Sequence, residues 1–69
     1  MNELELKLFL GNQVKVYCTD GEIIEGDATY FTSAADNEPD DASISLETNQ
    51  GLICIFLHEI KEIEIINQI

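Results

Sequence analysis

From Val14 onward, apolar and polar positions alternate. Val14, Val16 and Cys18 are set against Lys15, Tyr17 and Thr19. A period of two is that of a half-buried strand. Asp20-Gly21 follows, a dipeptide that tolerates the positive φ of a tight hairpin. Ile23, Ile24, Gly26, Ala28, Tyr30 and Phe31 predict a second, longer strand. Gly26 lies in its interior, where glycine marks a sharp bend or bulge. Ser43–Glu47 alternates as a short strand, and Asn49-Gln50-Gly51 is a second turn. Leu52–Leu57 is apolar on both faces, as in a strand covered by the core on one side and by a partner on the other. After a break at His58-Glu59, Ile60, Ile63, Ile65 and Ile66 predict a last strand, with Glu62 and Glu64 between them.

Residues 3–10 are ambiguous. Leu4, Leu6, Leu8 and Leu10 alternate as a strand would, whereas Leu4, Leu8 and Phe9 would share one helix face. Leu, Glu and Lys favour helix, so periodicity alone does not decide. Gly11-Asn12 ends whichever element precedes it. The expected fold is mainly β: a short N-terminal helix and a strongly bent, five-stranded antiparallel barrel. Closing a sheet this way removes most of its edges.

Composition sharpens this. The chain has 69 residues, one domain's worth, read here as a single domain over 1–69. A domain of this size buries only about 60% of its unfolded surface, so self-association would help it. Fourteen acidic residues against three lysines give a net charge of −11. That balance disfavours electrostatic binding to RNA or DNA, which needs Lys or Arg against phosphate. It equally disfavours a lipid surface. At 45% hydrophobic the chain is still globular in character. No signal-peptide pattern and no membrane-length apolar run occurs, so a cytoplasmic setting is expected. Cys18 and Cys54 fall outside any C-x-x-C spacing. They read as small buried hydrophobes, with a single disulfide as the alternative.

The chain resembles the Sm-like (LSm) family in these residues. Leu8-Phe9-Leu10-Gly11-Asn12-Gln13-Val14-Lys15-Val16 looks like that family's helix-to-first-strand junction. Asp20-Gly21-Glu22-Ile23-Ile24-Glu25-Gly26 resembles the heart of its first motif, which ends on an aromatic residue where Tyr30-Phe31 stands. Ile60–Ile66 is similar to the closing strand of its second motif. An Asp-Gly hairpin with a later glycine also occurs in SH3-like barrels; the order of elements adds more weight than either motif. The resemblance spans about residues 4–66. It implies a five-stranded barrel and a homo-oligomeric ring, in which the fourth strand of one subunit pairs with the fifth of the next. The chain departs from the family at the RNA site. The loop after the second strand, Thr32 to Asp41, is long and acidic, with Asn37 the only candidate for base recognition. Leu57-His58-Glu59 stands where an Arg-Gly pair is usual.

The expected ligand-binding residues are therefore Asn37 and His58. The expected subunit contacts are Ile53, Ile55, Leu57, Ile63 and Ile65, and the structural turns are Asp20, Gly21 and Gly26. His58 reads first as a surface or interface histidine. Asp36-Asn37-Glu38-Pro39-Asp40-Asp41 is rich in oxygen ligands but lacks EF-hand spacing, so no metal and no cofactor is expected. Glu22/Glu25 and Glu62/Glu64 lack an accompanying nucleophile or phosphate loop, and no enzyme is expected. Two functions remain: a self-assembling binding or scaffold module with a residual RNA or nucleotide site, or an acidic adaptor or inhibitor that mimics nucleic acid against a basic protein.

Overall fold

A computed structural model describes residues 1–67, leaving the last two residues of the 1–69 domain outside the described part. Helix α1 (Glu3–Lys7) leads into β1 (Gln13–Cys18), β2 (Ile23–Thr32), β3 (Ser43–Thr48), β4 (Gly51–Phe56) and β5 (Ile60–Ile65), with a 3₁₀ turn at Leu57–Glu59 before β5. The five strands form one antiparallel sheet in the order β4-β3-β2-β1-β5.

Asn2 decides the character of the first segment. Its side-chain oxygen accepts from the Glu5 amide at 2.9 Å, and the Glu5 carboxylate accepts from the Asn2 amide at 3.0 Å. This reciprocal capping satisfies two amides that a helix start leaves unpaired. The buried helix residue is Leu6, with Phe9 packed against the same core. That corrects the expected helix face of Leu4, Leu8 and Phe9: Leu4 and Leu8 point to solvent.

Parity in the strands follows the alternation. Val14 and Val16 of β1, Ala28 of β2, Ile44 and Leu46 of β3, Ile55 of β4 and Ile63 of β5 join Leu6 in one buried cluster. On β4, Ile55 is buried and Ile53 packs on the core while Leu52 and Cys54 are exposed, so the chain's own core covers one face of this apolar run. Asp20-Gly21 turns the first hairpin, with Gly21 at φ +94°, a conformation costly for residues with a Cβ.

The bend is in β2. Residues 23–27 pair with β1 and residues 27–32 with β3, so only Asp27 pairs on both sides. Gly26 stands at this handover. A Cβ there would lie 2.6 Å from the Glu47 carbonyl oxygen of β3. The register shift is two residues further on, between Ala28 and Tyr30. Gly26 thus serves close approach of two backbones, and the bulge itself belongs to Thr29.

Candidate functional site

Two regions bring the candidate residues together. The first is the end of the sheet where the β2–β3 loop meets the 3₁₀ turn. Thr32 ends β2, and the loop that follows is held by its own hydrogen bonds. The Asn37 side-chain amide donates to the Asp41 carbonyl oxygen at 2.9 Å and to Ser43 Oγ at 3.0 Å. Asp41 Oδ1 accepts from the Ala42 amide at 2.8 Å, and its Oδ2 lies 3.5 Å from His58 Nδ1. The Leu57 amide donates to the Ala42 carbonyl at 2.8 Å, which seats the 3₁₀ turn on the loop. His58 stacks on Phe56, with ring centroids 5.9 Å apart and planes inclined by 13°.

Asn37 and His58, 21 positions apart in sequence, are therefore joined through Asp41. Their chemical capacities differ. Both hydrogens of the Asn37 amide are engaged, so only its Oδ1 remains for a ligand. His58 has an open ring, its side chain 66% exposed, beside a carboxylate. The lysines lie elsewhere, on α1 (Lys7), β1 (Lys15) and β5 (Lys61). Lys15 sits over the Tyr17 ring at 5.4 Å and is flanked in register by Glu25 and Glu64. A phosphate approaching His58 meets the Asp41 carboxylate beside it and finds no lysine in the loop. Among the described residues, no group of three or more His, Cys, Asp or Glu side chains is placed to hold a metal ion.

The second region is the pair of sheet edges. β4 is hydrogen-bonded only to β3 and β5 only to β1, so among the described residues the sheet does not close on itself. The five expected contact residues divide along these edges. Ile55 and Ile63 belong to the core, at 3% and 7% exposure, so within the protomer their side chains present little surface at the edges. Ile53 and Leu57 are half-buried against the core. Ile65 is 52% exposed although it shares the core-facing side of β5 with Ile63. Sequence reasoning missed Leu52, which is exposed on the outer side of the β4 edge.

A cleft of about 200 Å³ runs beside β4. Ile53, Cys54 and Ile55 border it, facing Cys18, Asp20 and Glu59. Both thiols are free. Cys54 is exposed, against the expectation of a buried cysteine, because register pairs it with outward-facing Ser45. Burial pushes the Cys18 thiol above its ordinary value, reinforced by the charges of Asp20, Glu22 and Glu59. A thiol raised in the folded state lends stability below its unfolded pKa and loses it as pH rises through the folded value. The thiolate is the nucleophile, so Cys18 should alkylate slowly. Mass spectrometry after iodoacetamide at mildly alkaline pH should show one fast adduct, on Cys54, and one slow one. Cys54→Ser should remove the fast phase; equal rates for both thiols would refute this account of Cys18.

No family model, curated protein or solved structure matches the chain. No helix among the described residues is long and apolar enough to cross a membrane.

Proposed function

We propose that the chain is a self-assembling, Sm-like binding module of the cytoplasm, not an enzyme, whose subunits join by pairing the β4 edge of one copy with the β5 edge of the next. The observation that carries this reading is the open sheet. Among the described residues, its two terminal strands each leave one side of the backbone without a strand neighbour. Each also carries a core-side isoleucine that its own chain leaves partly uncovered, Ile53 on β4 and Ile65 on β5. Antiparallel pairing would satisfy the edges and continue the core from one copy into the next. Repeated head to tail, such a contact closes into a ring.

Copies at −11 repel each other, so assembly on this reading strengthens with salt. Sedimentation at high salt should give a discrete multiple of the protomer for the wild type. Ile65→Asp, at a half-exposed site that should tolerate it within the protomer, should lose the ring and sediment at no more than twice the protomer mass. A wild type that stays monomeric at every salt concentration would overturn the reading.

A second reading, an acidic adaptor for a basic protein, is favoured by one specific arrangement. Asp27 and Glu47 face each other across β2 and β3, a like-charge pair that costs stability. Binding to a basic partner weakens with salt, opposite in sign to self-assembly. For a residual RNA or nucleotide ligand, His58 is the residue available to stack.

A further inference from the structure

Helix α1 leaves its outer face bare. Leu4 is 74% exposed and Leu8 76%, more than any other large apolar residue described, and Met1 beside them is 55% exposed. Leu4 and Leu8 are four positions apart, one helical turn, and so form a single ridge. Isolated exposed leucines are ordinary; two adjacent ones on the face opposite the buried Leu6 form a contact surface.

Charge identifies what can cover this ridge. Residues 1–12 hold two of the fourteen acidic residues and one of the three lysines, a net −1, while the remaining 57 residues carry −10. Two copies approaching through most of the molecule bring carboxylates together. Through α1 they meet at a nearly neutral surface, the one such surface besides the uncharged β4 edge already assigned to pairing. We infer that a second copy of this chain packs on this ridge, with the two α1 helices antiparallel about a two-fold axis. Leu4 of each copy then lies against Leu8 of the other, as a self-complementary two-fold contact requires. The same axis brings the acidic first turn, Glu3 and Glu5, toward Lys7 of the other copy.

This contact uses a different surface from the β4 and β5 edges and stands without them. Where the edges also pair, rotational symmetry repeats α1 at one level around the ring. Weak leucine contacts between two rings would then act together as a multivalent interface.

The test is light scattering on the full chain at high salt, wild type against the double variant Leu4→Gln/Leu8→Gln. These neutral substitutions at exposed sites keep the net charge, and circular dichroism should show the fold unchanged. The variant should have half the wild-type mass: ring in place of double ring, or monomer in place of dimer if the edges do not pair. The second outcome would sink the edge reading and leave this one standing. An unchanged mass, or a wild type that is monomeric at the highest concentration, would overturn the inference.

Discussion

Gly26→Ala is expected to lower stability by about 2 kcal/mol and the melting temperature by roughly 10 °C. The new methyl would sit 2.6 Å from the Glu47 carbonyl oxygen, 3.0 Å from Thr48 Cγ2 and 3.1 Å from the Glu47 carbonyl carbon. Two of those three atoms are backbone, so no rotamer change relieves the contact. Overpacking of this kind costs about 1–3 kcal/mol. Removing a glycine also restricts the unfolded chain, which gives back about 0.4–1 kcal/mol. Steric repulsion is the larger effect, because β3 must separate from β2 at Asp27, the single residue paired to both neighbouring strands. The measurement is thermal and urea unfolding of both proteins at equal concentration and salt, since association shifts apparent stability. A variant melting within two or three degrees of the wild type would show that the backbones do not approach this closely.

The same residue marks where sequence and structure part. Glycine inside a strand was legible as a special backbone position, and the alternation around it placed β1 and β2 correctly. Its cause was not legible, because the clash is with a carbonyl 21 positions away. The thiols show the same limit. Leu52–Leu57 is apolar throughout, so its pattern carries no parity. Only the register Ser45 with Cys54 and Ile44 with Ile55 tells which residues face in. At the candidate site, Asn37 and His58 were recognisable by residue type, but the Asp41 link that joins them, and the Asp41 carbonyl and Ser43 hydroxyl that occupy the two Asn37 hydrogens, depend on a loop conformation. Helix against strand at the N-terminus was decidable: Asn2 followed three positions later by Glu5 is a capping signature that a strand would not need. The open edges were foreshadowed only by the family resemblance, since antiparallel strands of this length would also fit a closed barrel.

Leu6→Ala should destabilise the protein by about 2–3 kcal/mol and detach α1, while Leu4→Ala and Leu8→Ala at monomer concentrations should change stability by about 0.5 kcal/mol or less. Leu6 is fully buried and Leu4 and Leu8 are the most exposed leucines described, although all three lie within one short segment. Burial alone would put Leu→Ala anywhere from about 2 to 5 kcal/mol. The lower part of that range applies because α1 has five residues and can leave. A helix this short does not persist without its tertiary anchor. Its departure avoids the full cost of an empty cavity but exposes part of the core that Leu6 covered. It also removes the hydrogen bond from the Ala34 amide to the Glu3 carboxylate, 2.9 Å long, by which α1 holds the start of the β2–β3 loop. Hydrogen exchange should therefore lose protection at the Leu6 and Phe9 amides and, 31 positions from Glu3, at the Ala34 amide, while the β1–β2 hairpin keeps its own. If Leu4→Ala proved as costly as Leu6→Ala, the helix would have to dock by its other face, and the ridge offered to a second copy would be part of the core instead.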